Sequence, residues 1–473
     1  MFTTKGTHSN LEKQWSPSWA GRASVHVVFS TDCGSFQDWQ SRVLFDSARQ
    51  VGHVGPITRI ASGCSDPQMA KLANLMQTDR FFAYAGGAAA GAVNGPGDSW
   101  FVHFTPHFSR DSKTGKDYKF YNKPRGILHW LQHGRGGAGL AGRRPIRHGS
   151  NATQQQQQQQ QQQASEFLAG DVEDPPGVWP DVIALVDPDE MFLRPFDLWV
   201  GNSSNLLVTN PVKRDDKLLP RGVERGRPAG QFYGLGDKWR SFNRPYICGA
   251  PDSPCVGVES GEAWRYYSVG PPYVAHVADW RLIAASWVDF VPRVYEEYPN
   301  LLAEMYAYCL AAAHHGLRHA RVDHYMVSNV GSYGEAWPHV DAMSSVCAPG
   351  LPLFWSRDSA ARLPAFLHAC QGYNAGRGAS FSKRRVQHGI FDGCSGPLLP
   401  EPGEDLVTQA SQAEVAAVAA ERAKKRRKLT DPEQRALKRK RDAFMVCTAS
   451  KYVNAAVRTH RRLHCPESEE ASS

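Results

Sequence analysis

Three observations predict an α/β protein with a mostly parallel, Rossmann-like sheet flanked by helices. The continuous apolar run Val182-Ile183-Ala184-Leu185-Val186 ends directly in Asp187-Pro188-Asp189, as a strand buried on both faces of a parallel sheet does. A second apolar run at 25–30 leads into helical spacing and then a third run at 57–60, a compact strand–helix–strand unit of the kind that builds parallel sheets. Further stretches of helical apolar spacing, 279–298 and 300–316, supply cover for such a sheet.

Taken in order, residues 1–22 are polar and predict disorder. The strand at 25–30 runs into Ser30, Thr31 and Asp32, where a nucleotide base or ribose would lie at the end of a first strand; Thr31 and Asp32 equally suit capping of the next helix. That helix starts near Phe36, with Trp39, Val43, Leu44, Ala48 and Val51 on one side, and closes at Gly52. Residues 86–98 are rich in Gly and Ala but lack the Gly-Lys-Ser/Thr order of a phosphate loop, so they predict a loop. Pro124 suits the first turn of an apolar helix through 127–131, and Lys123 and Arg125 beside it are placed to meet a diphosphate or, equally, solvent. Residues 134–177 hold ten consecutive Gln between Gly/Arg-rich and acidic, Pro-rich flanks, a composition that predicts a disordered insertion.

The stretch 186–196 carries the chemistry. Two carboxylates, Asp187 and Asp189, stand at the carboxyl end of a buried strand, the place where open α/β sheets bind ligands. Together they form a hard oxygen site for a divalent ion bridging the phosphates of a nucleotide. Asp-Pro-Asp is also an ordinary turn, and the buried strand before it is what favours the metal reading. Beyond it, 210–262 reads as polar and loop-rich, with Gly226 to Trp239 as a binding loop. The helix at 300–316 packs Leu302, Met305, Cys309 and Ala312, with Glu304 beside that face as a candidate catalytic carboxylate. A last ordered block, 366–385, precedes short segments at 390–394 and 397–399, and the sequence beyond about 402 reads as a helical or disordered tail with no core of its own.

Length and composition set limits. The 473 residues, 41% hydrophobic with 13 Trp, suit one large α/β domain with insertions or two to three average ones. The net charge of +8 suggests a polyanion partner. Two clusters at 424–428 and 438–441 account for it, so the basicity belongs to the tail. A nuclear, nucleic-acid-binding protein is the rival class, but the body shows no such module, and no nucleic acid is expected as a partner. Ten cysteines without Cys-x-x-Cys spacing argue against structural zinc and leave the compartment open. No long apolar run or leader is visible, which taken literally predicts a cytosolic or nuclear chain; one that had lost its first segment would read the same.

The blocks FSTDCGSFQDWQSR, YNKPRGILHWLQH, VDPDEMFLRPF, VGPPYVAH, FVPRVYEEYPNLLAEMYAY and FLHACQGY with FSKRR occur in this order over roughly 24–402. In them the chain resembles the plant and algal hydroxyproline O-arabinosyltransferases and, more distantly, the peptidyl-serine α-galactosyltransferases. The resemblance implies a single metal-dependent glycosyltransferase domain of the GT-A type at 23–402, followed by a basic tail at 403–473. It implies transfer of arabinofuranose, with net retention, from UDP-β-L-arabinofuranose to peptidyl hydroxyproline in a hydroxyproline-rich peptide or glycoprotein, in the Golgi. It further implies a divalent metal of the Mn²⁺ kind on Asp187 and Asp189, completed by His368 from the FLHACQGY block. Lys123, Arg125 or Lys383 would then meet the UDP diphosphate. The amino-terminal anchor of that family is not seen here.

Overall fold

The structure, a computed structural model, describes residues 25–53, 55–78, 100–111, 115–134, 180–196, 223–332, 335–343, 345–347, 364–376, 378–402 and 431–465. The expectations for 1–22, 86–98, the polyglutamine insertion and the basic cluster at 424–428 lie outside the described residues.

The first apolar run forms β1 (Val25–Asp32). It is followed by α1 (Ser35–Gln50), β2 (Ile57–Ser62), α2 (Asp66–Thr78) and β3 (Trp100–Thr105). Next come α3 (Asn122–His133), β4 (Val182–Val186), β5 (Glu190–Phe192) and β6 (Ala229–Phe232). After short helical turns at 244–247 and 254–257 stand β7 (Val269–His276), α4 (Val277–Glu297) and α5 (Ala303–His314). The chain continues through β8 (Ala320–Val322), β9 (Met326–Val327) and α6 (Trp337–Ala342). Then come β10 (Phe366–His368), β11 (Gly372–Gly376), β12 (Ala379–Ser382) and α7 (Asp431–His464).

Among the described residues the main sheet has seven strands in the order β3-β2-β1-β4-β7-β6-β8. It is mostly parallel, as the sequence predicts, but β4 is parallel only to β1 and pairs antiparallel with β7. Strand alternation divides the core. Val28, Ile60, Ile183 and Leu185 face a layer that includes Trp130 of α3, Trp280 and Trp287 of α4 and Tyr308 of α5. Val27, Phe29, Ile57, Ala184 and Val186 face Leu44 and Phe45 of α1. Burying each such aliphatic or aromatic side chain contributes about 1.5–3 kcal/mol, and two indoles add direction. Trp280 Nε1 donates to Ile183 O at 3.0 Å and Trp287 Nε1 to Glu304 O at 2.8 Å, fixing α4 against β4 and α5.

Two expectations are corrected. The 210–262 region is not merely loop: it contains β6, the fully buried Trp239 and a Cys248–Cys255 disulfide. The sequence beyond 402 does not lack a core. Phe444, Met445, Tyr452, Val453 and Val457 of α7 are fully buried, in one cluster with Trp39, Trp337, Tyr373 and Phe381. Disulfides Cys347–Cys447 and Cys394–Cys465 tie α7 to the body. Charge is what conceals this core: Lys440 and Arg441 look like solvated tail but are 5% and 4% exposed. Lys440 Nζ donates to Asp341 O and Met343 O at 2.7 and 2.6 Å, and Arg441 grips the Asp341 carboxylate with two bonds of 2.8 and 2.6 Å. No helix among the described residues is long and apolar enough to cross a membrane.

Candidate active site

The site is built at the carboxyl end of β4. Glu190 N donates to Asp187 O at 3.0 Å, so Asp187-Pro188-Asp189 is a tight turn that leads straight into β5. Pairing between β5 and β10 is antiparallel and sets His368 opposite Glu190, which puts both side chains on one face. Ala369 N closes the arrangement by donating to Asp189 O at 3.0 Å. A turn and a cross-strand pair thus bring together residues far apart in the chain.

His368 Nε2 lies 3.6 Å from Asp187 Oδ2 and 3.4 Å from Asp189 Oδ1. Lys383, just after β12, reaches Asp189 Oδ2 at 2.5 Å. Lys123 of α3 bridges Asp187 Oδ1 at 2.8 Å and Glu304 Oε1 of α5 at 3.0 Å. Of the three metal candidates from sequence, each aspartate has one oxygen held by a lysine, Asp187 by Lys123 and Asp189 by Lys383, and its other oxygen near His368. A third carboxylate, missed in the sequence, joins them. Donor atoms of Asp187, Glu190 and His368 lie within 4.8 Å of one another, and Glu190 Oε2 and His368 Nδ1 are buried without a hydrogen-bond partner. The sign of Glu190 was available: an acid beside the apolar Met191-Phe192-Leu193 run, where a charge is costly unless it is used.

Burial, helped by Asp187 and Asp189 against the pull of His368, pushes the Glu190 carboxyl up to about 8. Burial likewise raises Glu304, against Lys123. For Lys123 burial opposes the charge, but Asp187 and Glu304 outweigh it and hold the ammonium above its ordinary range. At Asp189 burial is overcome by Lys383 and His368, which keep the carboxylate ionised. Burial lowers His368, and the negative groups around it, Cys370 and Asp189 first, carry it well above its usual value. Since burial also raises the Cys370 thiol, and so keeps it neutral, the carboxylates are the partners that matter. Two oxygens and an imidazole nitrogen make a donor set that fits a divalent cation of the Mn²⁺ or Mg²⁺ class.

The remaining candidates divide. Phe29 pairs with Val186, so Ser30, Thr31 and Asp32 extend past that pair along the same edge as Asp187. Thr31 does not cap α1: its hydroxyl accepts from Arg59 Nε at 2.9 Å. Asp32 does shape the helix entry, its Oδ1 accepting from Gly34 N at 2.7 Å while Gln37 accepts from its backbone N–H. Arg125 does not join the carboxylate group. Its guanidinium is held by Asp111 at 2.8 Å and bonds the Phe108 and Arg110 carbonyls, which makes it a brace for that loop. Tyr233, after β6, was also missed: its ring lies against Gly270 and Met305. Burial first, then Cys370, Asp187 and Glu335, hold its hydroxyl protonated.

An α/β sheet that gathers carboxylates, lysines and a histidine at the carboxyl end of a central strand places them where open α/β sheets bind ligands. No family model matches the chain. A peptidyl serine alpha-galactosyltransferase of Arabidopsis thaliana is 25% identical to it over 316 residues, 64% of this chain and 28% of that protein. One of Chlamydomonas reinhardtii is 31% identical over 117 residues, 25% of this chain and 13% of that protein. The chain is therefore related to a glycosyltransferase family, and it spans less than a third of the length of these relatives. Their names specify serine and galactose, not the hydroxyproline and arabinose that the motif blocks suggested.

Proposed function

We propose that the chain is a metal-dependent glycosyltransferase of the GT-A kind that moves galactose from UDP-galactose to the hydroxyl of a peptidyl serine. The observation that carries this reading is the group Asp187, Glu190 and His368, flanked by Lys123 and Lys383, in a chain similar to two peptidyl serine alpha-galactosyltransferases. The names of these relatives favour the galactosyl reading that the motif resemblance held second. Arabinofuranosyl transfer to hydroxyproline is the competing reading, favoured by the motif blocks alone.

A divalent cation on Asp187, Glu190 and His368 would supply positive charge to the departing diphosphate. Lys123 and Lys383 stand on either side of that position and would share the charge as the sugar–phosphate bond breaks. Ser30, Thr31 and Asp32 form the edge on which the nucleoside would rest. Glu304, through its contact with Lys123, orients the ammonium and keeps it charged, a positioning role where the sequence suggested a catalytic one. An α-galactoside made from an α-linked donor retains configuration. In a same-face displacement the leaving phosphate oxygen accepts the hydroxyl proton, so no separate base is required. Four disulfides, Cys33–Cys64 among them, support an oxidising compartment such as the Golgi lumen.

The test is a transfer assay with Mn²⁺, UDP-galactose or UDP-arabinofuranose, and matched serine and hydroxyproline peptides, with products weighed by mass spectrometry. Hexose on the serine peptide is the expected product. Pentose on hydroxyproline would replace this reading with its competitor, and no transfer with any donor would remove both.

A further inference from the structure

On the segments next to the proposed cation group lies a cleft of ≈ 580 Å³, edged by amide and charged side chains, that the sugar-transfer chemistry itself does not use. One wall is the loop Asn329–Gly331, the floor is the start of β11, and the other wall is the exposed Lys438 and Arg439 of α7. The loop wall and the floor grow from the strands that carry the site. β9 pairs with β10 and runs into the Asn329 loop, while β10 runs through His368 to Gln371. Tyr373, buried behind the floor, donates from Oη to His368 O at 3.0 Å, so β11 is tied to the strand end that carries His368.

The walls are rigid. Asn329 N donates to both Glu335 oxygens, at 3.2 and 3.1 Å, and Asn329 O accepts from Trp337 Nε1 at 2.8 Å. Arg441 reaches across from α7 to Val330 O and Ser332 O at 3.0 and 3.1 Å. A preformed groove of this size suits a ligand without an ordering cost.

Its chemistry favours an extended polypeptide. Asn329, Gln371 and Asn374 offer side-chain amides. Among the described residues β11 has β12 as its one ladder partner. Its other edge faces the cleft, where Asn374 N already bonds outward to Asp442 Oδ1 at 3.2 Å. With Asn374 N taken by Asp442, the exposed Gly372 is the place on this edge where a second backbone can approach closely. Lys438 and Arg439 have no ion pair among the described residues, and the one carboxylate beside them, Asp442, is occupied by Asn374. The wall is net positive.

We infer that this cleft holds the acceptor polypeptide in extended form, with an acidic side chain near the modified hydroxyl set against Lys438 and Arg439. Peptide binding here stands independently of the glycosyltransferase reading; only the role of that peptide as acceptor rests on it.

Binding and turnover are tested separately, with the full chain and serine peptides whose flanking residue is Asp, Asn or Lys. Fluorescein-labelled versions report binding by anisotropy in the presence of UDP and Mn²⁺, and unlabelled ones report KM in the transfer assay. The Asp peptide is expected to bind about 3- to 10-fold more tightly than the Asn peptide at low salt, and the Lys peptide more weakly. Lys438→Glu with Arg439→Glu reverses that order without changing UDP affinity. The milder Lys438→Gln with Arg439→Gln abolishes the preference, and Lys71→Glu on the exposed face of α2 leaves it intact. Equal binding of all three peptides, or a preference that survives both double variants, overturns the inference. Charge-dependent binding with no transfer would instead overturn the proposed function and leave the cleft assignment standing.

Discussion

At the scale of single residues, the proposed cation group turns on the difference between two neighbouring acids. Asp189 is neutralised by Lys383 at 2.5 Å, whereas Glu190 keeps an unpartnered buried oxygen facing His368. On the proposed function, Glu190→Gln and His368→Ala are each expected to raise the Mn²⁺ concentration for half-maximal activity by at least about tenfold, since each would remove a proposed ligand atom and not merely its support. The Mn²⁺-induced rise in melting temperature should shrink in parallel, because cation binding to the native state alone is what stabilises it. An unchanged titration in Glu190→Gln would return the ligand role to Asp189. Most of this group was legible in the sequence: a buried strand that ends in two acids announces itself, and block order points to His368 and Lys383. Glu190 had one local sign, an acid beside an apolar run, but its place in the group depends on antiparallel pairing with a strand far downstream, which no local pattern encodes. Arg125 failed for the opposite reason: its position beside Lys123 looked equivalent, yet on a helix such close neighbours point to different faces.

At the scale of elements, α1, α4 and α5 were predicted to within a few residues of their observed ends because α1 and α4 have an apolar stripe of helical period and α5 is apolar on nearly every face. α7 hid its stripe under charge. Arg441 and Asp341 are both almost fully buried and doubly bonded, and removing one member of such a pair costs about 3–5 kcal/mol. Arg441→Met should therefore lower the urea midpoint substantially, while Lys438→Met, in the same basic run but exposed, should leave it unchanged. Equal effects would mean that the basic run acts as a solvated patch after all. Truncation near residue 405 follows the same physics. It removes the fully buried Phe444, Tyr452 and Val453 and two disulfide partners, so the shortened chain is expected to be insoluble or to lack cooperative unfolding, contrary to what tail composition suggested. A folded, active truncation would show that α7 is dispensable.

At the scale of the whole molecule, the sheet and its helical cover hold titratable groups in states that solvent would not choose, and stability depends on pH as a result. His319 is fully buried; its Nδ1 sits 3.0 Å from Leu317 O and its Nε2 2.9 Å from Tyr308 Oη. Nδ1–H donates to the carbonyl and Nε2 accepts from the phenol, so a second proton would break a bond as well as charge the core. Burial accordingly lowers its pKa to about 4. Below its unfolded value near 6.5 the unfolded chain takes up a proton that the folded chain refuses, so His319 lowers stability as pH falls from about 6.5 towards 4. Between about pH 7 and 5 the loss is roughly 2 kcal/mol. Glu190 works in the other direction: with its folded pKa raised to about 8, the native state binds its proton more readily than the unfolded state does, and stability rises as pH falls from about 8 towards 4.5. The two slopes oppose each other, so the wild-type curve alone identifies neither. His319→Gln keeps a donor and an acceptor but removes the proton site. The variant is expected to be less stable than wild type at about pH 7, and the gap in urea unfolding free energy should close by about 2 kcal/mol at about pH 5. A gap that stays constant across that range would show that the imidazole already accepts its second proton in the folded core.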